Sequence, residues 1–280
     1  MKLWAGFFLI VSSIFGQAAQ PTVSNARFET RAFSGDLSSQ MQTVAPSWFG
    51  YAITTVRGDH RNCCWNDGQA CGCALEGRSG GVIQSGNGSN TAVQLEGSDR
   101  VAVLFRVENN AIEKVQVYSL TCPLDAGGLP FVWITNVPPA ASLAYLGSLV
   151  EADGPKHVTD GAIFAISQHE GAAAIDLLIR SAKRNASPHV RSQALFWLAQ
   201  RAGERASAAI TDAIVNDPDQ EVKKRAVFAL SQLPASEGVP KLIDVARTNR
   251  NREVRKQAFF WLGQSKDPRA FAFIEDVLTK

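Results

Sequence analysis

The sequence predicts an α+β multidomain chain: a small β-rich, disulfide-stapled N-terminal domain followed by an α-solenoid of helix pairs. Three observations predict it. The stretch "VRSQALFWLAQ" (190–200) returns as "VKKRAVFALSQ" (222–232) and "VRKQAFFWLGQ" (254–264), after a fainter "VTDGAIFAISQ" (158–168), each 32 residues beyond the last. A constant period of this size marks stacked repeats. Ahead of them, residues 46–137 alternate aromatic and β-branched residues between turn signals, which is strand patterning. Four of the five cysteines fall within "CCWNDGQACGC" (63–73), a density suited to a small bridged domain.

In chain order, "MKLWAGFFLIVSSIFGQAAQP" has one cation, Lys2, an apolar run from Leu3 to Phe15, then the small residues Gly16 and Ala18. This reads as a bacterial secretory signal peptide over residues 1–18, cleaved after Ala18 or Ala19. The run is short for a bilayer span and no later segment approaches transmembrane length, so no stable membrane insertion is expected. The expected location is the periplasm or the cell exterior. Residues 19–45, polar with scattered turn formers, read as an irregular arm. The whole chain has 280 residues, 45% hydrophobic and 19% charged, with a net charge of +2. That is a globular balance long enough for two domains. It lacks the strong basicity of a nucleic-acid binder, so no nucleic-acid partner is expected.

The β-rich domain is expected over residues 46–137. "SWFGYAITTV" reads as one strand, "DRVAVLFRVENNAIEKVQVYSLT" as two strands turning at Glu108-Asn109-Asn110, and "PFVWITNV" as another. "GRSGGVIQSGNGSN" reads as a flexible loop, and "VPPA" (137–140) as the hinge to the helices. In an oxidising compartment Cys63, Cys64, Cys71, Cys73 and Cys122 are expected to form disulfides. Adjacent Cys63 and Cys64 point opposite ways in an extended chain and so take different partners. A bridge to Cys122 would tie the hairpin to the cysteine-rich loop. Five is odd, so one thiol is left or pairs between molecules. Neither Cys63-Cys64 nor Cys71-x-Cys73 has zinc-ligand spacing, even with His60 near, and no metal or cofactor is expected.

The solenoid is expected over residues 138–280, as about four helix pairs and a terminal helix. Its columns are Val158/Val190/Val222/Val254, Ala162/Ala194/Ala226/Ala258, Phe164/Phe196/Phe228/Phe260 and Gln168/Gln200/Gln232/Gln264. A second apolar series, Leu146, Leu178, Ile210, Leu242 and Ile274, keeps the same register and marks the other helix of each pair. Asp153, Asn185, Asp217 and Asn249 form a loop column suited to capping the helix that follows. Helices with runs such as "ALFWL" and "AFFWL" are apolar round most of their circumference and need cover on several sides, so stacking is obligatory. "DPDQEVKKRAVFAL" resembles the HEAT repeat, and the short period is similar to HEAT-like repeats of the phycobilisome-lyase type, over about residues 140–280. The resemblance implies that the helix bearing the Val-basic pair lines a concave side, with Arg191, Lys223 and Arg255 matching and Thr159 departing. It does not carry chromophore-lyase chemistry with it.

Trp197 and Trp261 share a column, with Ala165 and Ala229 in the other copies, and each precedes its glutamine by three residues on one helix face. Two readings stand. Either the indoles are core and the glutamines bond neighbouring loops, or Trp197, Gln200, Trp261 and Gln264, continued by Gln168 and Gln232, clasp another protein or an extended peptide. The cations of "ARTNRNREVRK" and Lys223-Lys224-Arg225 are expected to meet the loop acids Asp217, Asp219 and Glu221. His157 and His189 share a helix-start column, a structural place. No catalytic constellation is present. The function expected is therefore a non-enzymatic exported scaffold for protein–protein interaction; the alternative is a redox or metal-binding protein with chemistry at Cys63–Cys73 and the solenoid as substrate clamp.

Overall fold

The computed structural model describes residues 20–56, 62–66, 69–76, 99–152, 154–201 and 203–279. The segment read as a signal peptide, His60 and the glycine-rich loop lie outside them. In chain order the N-terminal half contains β1 (Val23–Ser24), β2 (Arg27–Ala32), α1 (Leu37–Gln40), β3 (Ser47–Thr54), β4 (Cys64–Asn66), β5 (Gln69–Cys71), β6 (Cys73–Ala74), β7 (Arg100–Glu108), β8 (Ala111–Ser119), β9 (Leu124–Asp125) and β10 (Pro130–Thr135). Five of these strands form one sheet, ordered β2-β10-β3-β7-β8. β10 runs parallel to both its neighbours, whereas β3, β7 and β8 pair antiparallel. The β7–β8 turn falls on Asn109 and Asn110, both at positive φ, as asparagine tolerates in a tight hairpin.

The stretch expected as an irregular arm instead supplies an edge strand, β2, and a helical turn whose flanking Leu37 and Met41 are buried. Its polar pattern misled because β2 has exposed residues along almost its whole length, as an edge strand can.

The central sheet is buried on both faces, which is why β3 and β7 read as near-continuous apolar runs. One face sets Tyr51, Ile53, Val103, Phe105, Val115 and Ile134 into a core shared with the helices. The other sets Trp48, Leu104, Phe131 and Trp133 against the cysteine region. Gly50 makes room on that second face, since a Cβ there would lie 2.5 Å from the Leu104 side chain and 3.1 Å from the Trp133 ring.

The C-terminal half is helical: α2 (Pro139–Glu151), α3 (Lys156–Gln168), α4 (Ala172–Arg184), α5 (Pro188–Arg201), α6 (Glu204–Asn216), α7 (Gln220–Ser231), α8 (Ala235–Thr248), α9 (Arg252–Gln264) and α10 (Pro268–Leu278). They make two layers: α3, α5, α7 and α9 stack on one another, and α2, α4 and α6 form the second, with α8 behind α9. The Val and Ala columns are buried throughout, as is the second apolar column as far as Leu242, while Ile274 in the terminal helix is partly buried. The loop column works differently from expectation. Asn185, Asp217 and Asn249 end the preceding helix and turn the chain by accepting from the N–H two residues on. The following helices α7 and α9 are capped by Asp219 and Asn251, each accepting two backbone N–H bonds.

Residues 137–140 are not a free hinge, because the sheet packs directly on the first helix pair. At Gly161 of α3 a Cβ would lie 2.3 Å from the Val115 carbonyl oxygen of β8, so only glycine permits this approach. The end of β3 pairs with the α3–α4 turn: Thr55 bridges His169, Val56 N–H donates to the Gln168 carbonyl and Glu170 N–H to that of Thr54. Beneath lies a buried polar chain. The Ser142 hydroxyl is 2.8 Å from both the Tyr51 hydroxyl and His169 Nε2, while His169 Nδ1 is 2.8 Å from the Ala165 carbonyl oxygen. The carbonyl can only accept, so Nδ1 carries the proton and Nε2 accepts a hydrogen bond from the Ser142 hydroxyl; each group in the chain is satisfied.

Candidate functional site

The layer of α3, α5, α7 and α9 presents a continuous run of aromatic rings. Phe164 meets Trp197 at 4.7 Å between centroids, Trp197 meets Phe196 at 5.0 Å, Phe196 stacks on Phe228 at 6.1 Å, Phe228 meets Trp261 at 4.8 Å, and Trp261 meets Phe260 at 5.0 Å. The run therefore crosses four repeats. Trp197 and Trp261 are half-buried at the edge of the core, and Phe260 is 54% exposed. Each pair is a ring contact of the kind worth about 0.5–1.5 kcal/mol beyond its burial, so the run has a structural role as well as an accessible edge. The Trp261 indole N–H is shielded yet has no hydrogen-bond partner among the described residues.

Two cavities open along this run. One, of about 290 Å³, is lined by His189, Gln193, Phe196, Arg225 and Phe228. The next, of about 400 Å³, is lined by Lys224, Arg225, Phe228, Gln257 and Trp261. Gln193, Arg225 and Gln257 occupy one repeat column, three residues after the buried valine, and the same column in α3 is Gly161. There strand β8 occupies the face: Gly161 abuts its backbone at Val115, and His157 Nε2 lies 2.9 Å from the Glu113 carbonyl oxygen. The polar column was missed in the sequence, although three long polar side chains at one register position inside apolar helices were a visible signal.

The glutamine column expected beside the tryptophans does not form one surface. Gln168 is buried at the sheet junction, with its Oε1 unpartnered among the described residues. Gln200, Gln232 and Gln264 are exposed at the C-terminal ends of their helices. Gln232 and Gln264 line, with Trp261, a separate cavity of about 220 Å³ between α7, α8 and α9. The basic column also turns away from the aromatic face. Arg191 is buried, pairing through Nε and Nη2 with Asp217 of the next repeat and through Nη1 with the carbonyls of Asn185 and Ala186. Lys223 Nζ donates to the Val215 carbonyl, and Arg255 Nη1 to those of Asn249 and Arg250. Each ties off the carbonyl end of the preceding helix, where a cation also complements the dipole. Of the acids expected to meet these cations, Asp217 holds Arg191, Glu221 holds Lys224 at 2.7 Å and Asp219 is a cap. Arg247 lies over the Phe273 ring at 4.9 Å. His189 Nε2 reaches Asp160 Oδ1 across the repeat at 2.6 Å.

On the far face of the sheet the cysteines form Cys63–Cys122 and Cys64–Cys73 bridges, leaving Cys71 as a buried thiol that burial holds above its usual pKa. Cys63 and Cys64 do take different partners, and the long bridge joins the loop to the end of the β7–β8 hairpin. By its 59-residue separation it constrains the unfolded chain by roughly 4 kcal/mol. The sulfurs of Cys63, Cys73 and Cys122 lie within 4.8 Å of one another. All three are consumed in bridges, and a metal needs thiolates, so this set does not offer ligands as it stands. Among the described residues no helix is long and apolar enough to cross a membrane.

Comparison with known proteins agrees with the two-layer helical array. The HEAT-repeat family model matches residues 143–231 and 207–280. Residues 143–280 are a HEAT-repeat array. Such arrays generally mediate protein interaction. Among solved structures, human deoxyhypusine hydroxylase in complex with glycerol is similar at 20% identity and a TM-score of 0.37, over 43% of this chain and 42% of the hydroxylase. The complex of CpcE and CpcF of phycocyanin lyase from Nostoc is similar at 18% identity and a TM-score of 0.39, over 50% of this chain and 91% of that one. No curated protein matches the chain in sequence.

Proposed function

We propose that this protein is an exported, non-enzymatic scaffold whose HEAT-repeat array binds an extended segment of another protein along the aromatic face of α5, α7 and α9. One observation carries the reading: the same face of α3 already holds an extended chain, strand β8. At α3 the glycine column admits backbone to van der Waals range and His157 meets a carbonyl. In the later repeats that column is Gln193, Arg225 and Gln257, whose amide and guanidinium groups can bond a peptide backbone, while the half-buried rings supply apolar area. Export rests on the N-terminal sequence, and the two bridges suit an oxidising compartment.

The test is selection of displayed peptides on the folded protein, followed by affinity measurement with a Gln193→Ala/Arg225→Ala/Gln257→Ala variant. These are surface changes expected to leave stability within about 0.5 kcal/mol. The reading predicts binding at least about tenfold weaker, a loss near 1.4 kcal/mol. Equal affinity for native and variant would place the binding surface elsewhere.

A further inference from the structure

The odd fifth cysteine is not isolated from the two bridges. Cys64 and Cys71 are directly opposed partners in the β4–β5 ladder, and the Cys71 thiol donates to the Cys64 carbonyl at 3.3 Å. Opposed antiparallel residues have Cα atoms about 4.5–5.5 Å apart, within the span a disulfide bridges. At the other end of the Cys64–Cys73 bridge, Cys73 Sγ lies 3.7 Å from Cys122 Sγ. Cys122 is in turn bonded to Cys63. The five cysteines thus form one connected series: Cys71 is paired with Cys64 across the ladder, Cys64 is bonded to Cys73, the Cys73 sulfur faces that of Cys122, and Cys122 is bonded to Cys63. Cys71 begins it in the interior, at 6% exposure, and Cys63 ends it as the least buried of the five.

We propose that the free thiol moves along this series from Cys71 to Cys63, making Cys63 an exchange site for disulfides carried by other molecules. Cys71 gives up its proton and its thiolate attacks Cys64 Sγ. The Cys64–Cys73 bond breaks and its electron pair leaves on Cys73. The Cys73 thiolate attacks Cys122 Sγ, the Cys63–Cys122 bond breaks, and Cys63 takes the electron pair and a proton. Two bridges and one thiol stand on each side, so no oxidant or reductant is needed; the new bridges are Cys64–Cys71 and Cys73–Cys122. Attack requires the thiolate, so the transfer is base-accelerated, and the burial that raises the Cys71 pKa makes it slow near neutrality. The surfaced Cys63 thiol then attacks a foreign disulfide by the same chemistry, forming a mixed disulfide and expelling one thiol.

Iodoacetamide is the probe. The intact protein is incubated with it over a range of mildly alkaline pH, acid-quenched and mapped by peptide mass spectrometry without reduction. The proposal expects the label on Cys63, together with Cys64–Cys71 and Cys73–Cys122 bridges, at a rate that rises with pH. It also expects a Cys71→Ser variant, which lacks the starting thiol, to show no label on Cys63. Label on Cys71, or no label while a denatured sample labels fully, overturns it, as does Cys63 labelling that persists in Cys71→Ser. Should that variant not fold, the map of the native chain alone decides.

Discussion

His169 is a residue whose chemistry is set by where it sits. Its pKa falls from 6.5 to about 4, chiefly because burial penalises the cation; the Arg201 guanidinium adds repulsion, and the bond to the Ala165 carbonyl opposes both. The unfolded chain takes up a proton below pH 6.5 while the folded chain does not until near pH 4. Stability from this group is therefore complete above pH 6.5 and is lost as pH falls through 4, by about 3 kcal/mol in all. Urea unfolding between pH 7 and 4 should show a falling midpoint, and a His169→Gln variant should start lower but with a flatter slope over that window. A second residue-scale prediction concerns the Arg191–Asp217 pair, whose side chains are 8% and 5% exposed. Asp217→Ala strands a buried guanidinium and should cost about 3–5 kcal/mol, whereas Arg191→Met/Asp217→Leu should recover much of that loss. A double-mutant cycle by chemical denaturation measures it. None of this was readable in the residues. The sequence shows a histidine after the first repeated glutamine and an arginine after a valine, and only the fold decides that the first is buried and that the second turns from the aromatic face to the loops.

Among the elements, α3 explains why its copy of the repeat is faint. Where its successors have Gln193, Arg225 and Gln257, α3 has Gly161, because strand β8 lies against it. Gly161→Ala should force α3 and β8 apart and destabilise by about 1–3 kcal/mol, read as a lowered thermal midpoint. A Gln257→Ala change at the same column of α9, where the face is open, should leave the midpoint almost unmoved. The helices themselves were legible to within a few residues, since the 32-residue period and the buried Val, Ala and Leu columns report packing that each repeat makes with its neighbours. The hairpin at Asn109-Asn110 was legible for an equally local reason, as both residues must take positive φ. Edge strand β2 was not: it pairs parallel to β10, about a hundred residues away, and only Phe28 and the core residues Leu37 and Met41 beside it hint at inward packing.

At the scale of the whole molecule, the sheet and the helices share one apolar core running from Tyr51 and Phe105 through Leu146 and Ile163 to Phe273. Unfolding should therefore be cooperative across the sheet–helix junction. Far-UV circular dichroism, dominated by the helices, and the fluorescence of the sheet tryptophans Trp48 and Trp133, isolated in a Trp4→Phe/Trp65→Phe/Trp197→Phe/Trp261→Phe background, should report the same urea midpoint; separated midpoints would mean that the junction contributes little. The candidate binding face is a property of this scale too. Single residues on it look like core, and the sequence pairs tryptophan with glutamine by helical spacing. The stacked repeats instead pair the rings with the Gln193, Arg225 and Gln257 column and send the glutamines to the helix ends. The proposed binding mode sets an extended partner segment on that column. It is tested most directly by placing a photo-crosslinking amino acid at position 257, on the face, and separately at position 215 in α6, where Val215 is 59% exposed in the other layer. The selected peptide should crosslink at 257 and not at 215. Equal crosslinking at both positions, or crosslinking at 215 alone, would contradict it.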